Sequence, residues 1–282
     1  MSIWVHTLVK NEERYLWFAV SSVIDHVDRL LLWDTGSSDN TVKIAKELVR
    51  KFGEKIDFKE VGEVDINEFT SIRQEMLKAT KADWLLIVDG DEVWWDEKIR
   101  KVVEIINRKG ERLDSIVVGY YTLLGDIYHF ESEKKGEYQI DGVRGHITIR
   151  AINRHIHGLN VSKPHGQQGF FDGHGNLIQN LPKTRRKFTV GKSYLHFTHI
   201  PRSSSVGRDA EVPKRKGKIR LEMGQSFPFD FYYPEVFFRS RPSLVASPWV
   251  LPPKSYKFRS ILAKSAKDIK RRISTKSGYL WM

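Results

Sequence analysis

Trp84-Leu-Leu-Ile-Val-Asp-Gly-Asp-Glu92 joins five apolar residues to three carboxylates. A short apolar run of this kind reads as a strand buried on both faces. The first polar groups off its end are Asp89, Asp91 and Glu92. Carboxylates so close together repel unless something positive sits among them, and a hard divalent cation, Mg2+ or Mn2+, is the usual solution. Gly90 allows a close backbone approach. Acidic residues can also simply solvate a strand end, so the surrounding sequence has to arbitrate.

On the N-terminal side, residues 3–9 and 29–33 are further short apolar runs, and 56–61 is a third. Between and after them, residues 12–27, 42–52, 67–80 and 97–107 repeat their apolar positions at helical spacing, and residues 115–123 return to a strand pattern. Five strands separated by helices predict an α/β fold with a Rossmann-like, mostly parallel sheet flanked by helices. Ligands of such sheets bind outside the carboxyl ends of the strands. The loops after Val9, Trp33 and Val88 are therefore expected to line the site.

The loop after the second strand reads Asp34-Thr-Gly-Ser-Ser-Asp-Asn-Thr41. Gly36 suits a positive φ, and Ser38 or Asp39 can cap the next helix. Capping leaves Asp34 without a structural job, and an acceptor at that position suits the N–H of a pyrimidine base. Thr7-Leu-Val-Lys-Asn-Glu12 leaves the first strand as a polar loop.

Together, Lys-Asn-Glu-Glu, Asp-x-Gly-Ser-x-Asp-Asn-Thr and Asp-x-Asp-Glu resemble, in order and spacing over residues 3–125, the inverting family-2 glycosyltransferases of the GT-A fold. The resemblance implies a nucleotide-diphosphate sugar donor, UDP-linked, and a saccharide or lipid-linked acceptor. It places Thr7, Val9, Asn11, Glu12, Asp34, Gly36, Arg73, Asp89 and Gly90 at the donor, with Asp34 bonding the base. Asp89 and Asp91 would serve ribose and a Mn2+ or Mg2+ ion; of the chain's histidines, His196 or His165 is the one expected to reach the metal or the diphosphate. Arg73 falls where the family carries an arginine that contacts the donor. A cation acting as Lewis acid and a guanidinium would both stabilise the departing diphosphate.

The acceptor hydroxyl needs a general base. Relatives of this branch often carry a His-Glu pair in the second half, whereas this chain has Pro164-His165-Gly166 and no carboxylate there. Asp172, on a glycine-flanked loop, is the first choice for the base, followed by His165 and Asp141. Residues 126–200 read as hairpins and loops of the same domain on the acceptor side of a donor-binding half, 1–125. His155-x-His157 and His196-x-x-His199 match no strong zinc spacing, and with no cysteine in the chain no thiolate completes a set.

The formal net charge is +12, and all of that excess lies in residues 201–282, a basic extension ending in a helix pattern over 254–273. A neutral body with a basic end argues against a nucleic-acid binder and for an electrostatic attachment, here to an anionic membrane face. No stretch is long and apolar enough to span a bilayer and no export signal is evident, so the expectation is a cytoplasmic protein, peripheral on the inner face. The aromatic stretch 227–234 is expected to pack the extension onto the body. A nucleotidyltransferase is a rival reading, but it usually needs a glycine-rich phosphate loop after the first strand, and Val9-Lys-Asn-Glu-Glu has none. A non-catalytic, basic-tailed module for nucleic acid or anionic polymer would leave the carboxylates without a use.

Overall fold

The computed structural model describes residues 1–65, 68–163, 168–252, 256 and 260. Strands β1 (Ile3–Val9), β2 (Arg29–Asp34), β3 (Ile56–Glu60) and β4 (Trp84–Ile87) alternate with helices α1 (Leu16–Ser21), α2 (Thr41–Phe52) and α3 (Glu68–Ala79). The four strands pair in parallel in the order β3-β2-β1-β4. Leu30, Leu31 and Leu32 of β2 are all fully buried, as expected of strands covered on both faces. Helix α2 turns Ile44, Ala45 and Leu48 onto the sheet and stops at Gly53, whose φ is +58°.

Helix α1 is much shorter than the apolar spacing of residues 12–27 predicts. The Ser22 hydroxyl donates to Ala19 O (2.7 Å) and accepts from Trp94 N (3.1 Å), so the helix ends where a serine finds partners outside the helical ladder. A 3-10 turn, Ile24–His26, follows.

After β4 come β5 (Glu92–Trp94), α4 (Asp96–Lys109), β6 (Ser115–Leu124), β7 (Asp126–Phe130), the hairpin β8 (Tyr138–Ile140) and β9 (Val143–Gly145), and β10 (Ile147–Asn153). The chain continues with β11 (Asn160–Ser162), β12 (Gly169–Phe171), β13 (Arg186–His196), α5 (Val206–Glu211), α6 (Arg215–Lys218) and β14 (Gln225–Ser226). The fifth strand of the expected parallel series, β6, does not sit beside β4. Strand β10 lies between them, antiparallel to both. An apolar run such as Ile147–Asn153 carries no information about its direction, so periodicity could not reveal this insertion. Strand β13 then runs parallel to β6 and antiparallel to β5.

Trp94, Tyr194 and Tyr120 form a stack under the carboxyl-end turns, with centroids 5.1 Å apart at each step. The stretch 227–234 packs as expected: Phe227 stacks on Phe231 (3.8 Å) and Phe130 (4.6 Å), and Trp249 meets the edge of Tyr233 (5.1 Å). The helix pattern at 254–273 lies almost wholly outside the described residues.

Candidate active site

The turn after β4 closes on itself, with Glu92 N donating to Asp89 O (3.0 Å) and Asp89 N to Glu92 Oε2 (3.3 Å). Gly90 packs against the loop after β1. A Cβ there would lie 2.9 Å from Val9 Cγ1 and 3.0 Å from Glu12 Cγ, so the glycine's role in the fold is to let the two loops meet.

The carboxylates of this turn are each met by arginine. Asp89 faces Arg73 of α3 through Oδ1 (3.4 Å) and Arg150 of β10 through Oδ2 (3.2 Å). Arg150 sits at a break in the β6–β10 register, and such irregularities re-aim side chains. It also pairs with Glu92 and donates to the Tyr194 hydroxyl (3.3 Å). Asp91 is 1% exposed. Its Oδ2 accepts from Arg202 Nη1 (2.6 Å) and faces His196 Nε2 at 3.5 Å. The same Arg202 Nη1 reaches Glu12 Oε1 (3.1 Å), which also pairs with Arg215.

Burial alone would raise the pKa of Asp91, but Arg202, His196 and Arg215 outweigh it and hold this carboxyl far below the usual range. Asp89 is lowered too, burial being outweighed by Arg150 and Arg73. At Glu92 burial wins over Arg150 and raises the pKa well above normal. Burial likewise pushes Glu12 up to about 8, against the pull of Arg202 and Arg215.

The loops after β1 and β2 lock onto each other. Asp34, 2% exposed, accepts from Gly36 N (3.0 Å), Ser37 N (2.9 Å) and the Ser37 hydroxyl. It therefore has a structural job that the sequence reading did not assign. Gly36 has φ +81°, and a Cβ there would fall 2.9 Å from Glu63 Cα. Asp39 accepts from Thr41 N (2.9 Å) at the start of α2, one of the two capping choices. Asn11, at φ +53°, accepts from Ser38 N (2.8 Å) and donates to Arg208 O (2.9 Å) and Glu211 Oε2 (3.0 Å). Thr7 and Val9 are buried at the end of β1, and Thr7 Oγ1 has no partner among the described residues. The segment that follows β13 thus lies over the loops expected to receive the donor.

Of the three residues expected to supply a base, Asp172 and Asp141 are not brought to this turn. Asp172 follows β12, where its carboxylate accepts from His174 N (3.0 Å), Asn176 N (2.8 Å) and Asn176 Nδ2 (3.1 Å). It lines a cleft with Asn153 and Asp114, at the amino ends of β4 and β6. Asp141 pairs with Arg186 Nη1 (2.6 Å) at the start of β13, beside Ser115 at the same end of the sheet. His165 lies outside the described residues. The chain leading to it leaves β11 at Lys163, whose carbonyl accepts from Thr70 Oγ1 (2.8 Å), one turn of α3 before Arg73.

A divalent ion requires several oxygen donors converging on one point. Of the expected trio, Asp91 and His196 come together, but Asp91 is held by Arg202 and Asp89 carries two guanidinium groups. Among the described residues, no three His, Asp or Glu side chains are disposed to hold an ion. In this arrangement the residues present do not fit a metal.

The chain matches the profile of Glycosyl transferase family 2 over residues 4–159, more than half its length. The chain belongs to glycosyl transferase family 2. Its mostly parallel α/β sheet is that of the GT-A fold. Among solved structures, S. aureus TarS 1-349 in complex with UDP is 15% identical, with a TM-score of 0.47, and the match covers 70% of this chain and 60% of that one. Glucosyl-3-phosphoglycerate synthase from Mycobacterium tuberculosis, in complex with Mn2+ and uridine-diphosphate-glucose, is also 15% identical, with a TM-score of 0.42 and coverage of 68% and 70%. A TPR repeat-containing protein of Synechococcus elongatus is 34% identical over 85 residues, which are 30% of this chain and 19% of that protein. The chain thus matches about a fifth of the length of this curated relative.

Three arginines of this site escaped the sequence reading. Arg150 could have been noticed as a lone charge inside an apolar strand, Ile147-Thr-Ile-Arg-Ala-Ile-Asn153. Arg202 and Arg215 were counted within a basic extension, and only the fold turns them inward, to 9% and 3% exposure. No helix among the described residues is long and apolar enough to cross a membrane.

Proposed function

We propose that this glycosyltransferase moves a sugar from a uridine diphosphate donor onto a hydroxyl of a saccharide or lipid-linked acceptor, with inversion at the anomeric carbon. The observation that carries the reading is the gathering of Arg73 and Arg150 on Asp89 at the carboxyl end of β4, in a chain of this family. Asp34 and Thr7, at the ends of β2 and β1, are the groups assigned to the base. The donor half is assigned to residues 1–125, the acceptor side to 126–200 and surface attachment to the basic extension, 201–282.

In the reaction, the acceptor oxygen attacks the anomeric carbon as the bond to the β-phosphate oxygen breaks, and the electron pair leaves with UDP. Preorganised guanidinium donors lower the barrier by meeting that charge without rearranging. The acceptor's proton is assigned to His165, because Asp172 and Asp141 sit at the amino ends of the strands. No step is assigned to Mn2+ or Mg2+, since the carboxylates expected to hold it are held by arginine. The excess positive charge of the extension supports a place on the cytoplasmic, anionic face of a membrane.

A thermal-shift panel of UDP-, GDP-, CMP- and dTDP-sugars tests the reading. Stabilisation by the uridine compounds, lost in Asp34→Ala, is expected. Equal shifts with all four, or with none, would reject a uridine donor. His165→Ala is expected to lower transfer at least about a hundredfold, within the usual contribution of a general base, while UDP affinity stays unchanged.

A further inference from the structure

We propose that Arg202 is the cation that receives the donor's diphosphate, standing where a divalent ion would otherwise stand, so that donor binding needs no metal. The proposal rests on the donor reading above.

Arg202 leaves the end of β13 and reaches back beneath the loop after β1. Its position is fixed from both sides: Arg202 O accepts from Arg14 N (3.1 Å), and Asp209 Oδ1 accepts from the backbone of Arg202 and Ser203 (both 3.3 Å). Nη1 bridges Asp91, an expected metal ligand, and Glu12 of the loop after β1. Nε is buried and has no partner among the described residues. An unpaired N–H on a nine-tenths buried cation is costly, and a phosphate oxygen is the acceptor that removes the cost with a charge-assisted bond.

The neighbouring charges favour this assignment over an ion. Arg215 holds Glu12 from the other side and donates to Lys10 O (2.9 Å) and Asn11 O (2.5 Å). It is a positioning residue that keeps Glu12 facing Arg202. For a metal to take Asp91, Arg202 would have to leave a pocket in which its backbone, its charge and its carboxylate partners are all engaged. Asp89, two residues before Asp91, carries Arg73 and Arg150, so three guanidinium groups collect on this short turn. As the sugar's bond to the β-phosphate breaks, the charge left on UDP falls to fixed N–H donors, and no Lewis acid is required to balance it.

Titration calorimetry of UDP onto the full chain, in EDTA and again in Mn2+, decides the matter, together with electron paramagnetic resonance of Mn2+ added without nucleotide. The expected result is UDP affinity equal within about twofold in the two buffers and a free-ion Mn2+ spectrum. Arg202→Gln should weaken UDP at least about tenfold, and Arg202→Lys, which keeps the charge but not the fork, should fall between. Circular dichroism establishes that each variant is folded, and should the glutamine variant not fold, the lysine variant carries the comparison. UDP binding that appears only with Mn2+, or a folded variant that binds UDP like the wild type, overturns the arginine assignment and leaves the donor reading standing. Absence of UDP binding in every condition overturns both.

Discussion

Gly90 shows how a residue that reads as a ligand contact can owe its identity to packing. Its hydrogen faces Val9 and Glu12, whose side chains a methyl group would meet at 2.9 to 3.1 Å. Glu12 cannot easily retreat, because Arg202 and Arg215 both hold it. Gly90→Ala is therefore expected to cost about 2 kcal/mol, the usual penalty for overpacking, and to lower the thermal midpoint by several degrees. An unchanged midpoint would mean that the two loops have slack which the contacts do not suggest. Asp34 teaches the complementary lesson. Its place at a strand end was readable from Trp33-Asp34-Thr-Gly, but the three hydrogen bonds it accepts depend on how the loop folds back, and no spacing rule contains that.

At the scale of elements, Glu13 ties the start of α2 to the segment after β13. Its Oε2 accepts from Asn40 N (3.1 Å) and Asn40 Nδ2 (2.8 Å), and its Oε1 accepts from the Ser203 hydroxyl (3.1 Å) and from Ser204 N. Burial would raise its pKa, but the bonds from Ser204 and Asn40 outweigh it and leave the carboxyl down at about 2. A carboxylate depressed in the folded state contributes stability in full above its unfolded value, near 4.5. That contribution is lost as pH falls through about 2. Glu13→Gln should thus lose about 2 kcal/mol at pH 7, the scale of a hydrogen bond to a charged group. In urea melts the gap from wild type should close between about pH 4.5 and 2, and a gap that persists at pH 2 would mean shape rather than charge is at work. The elements themselves were largely legible: β1 to β4, α2, α3 and α4 stand where periodicity puts them. The insertion of β10 between β4 and β6 was not, because strand order comes from long-range pairing that a local apolar pattern does not encode. The same limit misplaced Asp172 and Asp141, whose loops read as acceptor-side until β12 and β13 are seen to put them at the amino ends.

Over the whole molecule, the basic residues of 201–282 include two distinct populations. Arg202, Arg215, Arg220 and Arg239 are bound to carboxylates of the body, respectively Asp91 with Glu12, Glu12, Glu131 and Asp96, and Arg215 also meets Asp209 of the extension itself. These arginines belong to the fold, and their charge is balanced within it. The nine basic residues from Lys254 to Lys276 stand among a single acidic one, Asp268, and the chain approaches them through the exposed apolar pair Val250 and Leu251. If that segment carries the membrane attachment, the attraction is electrostatic, roughly 1 kcal/mol for each basic side chain at an anionic surface, and screened over about 8 Å at physiological salt. Neutralising Lys264, Lys267, Lys270, Arg271 and Arg272 to glutamine in the full chain should then lower binding to phosphatidylserine vesicles by orders of magnitude. Binding of the wild type should weaken steeply with salt, and UDP affinity should stay the same, since the site's arginines are untouched. Vesicle binding that survives both the substitutions and high salt would place the attachment on the apolar residues instead, and equal binding to neutral vesicles would confirm that reversal.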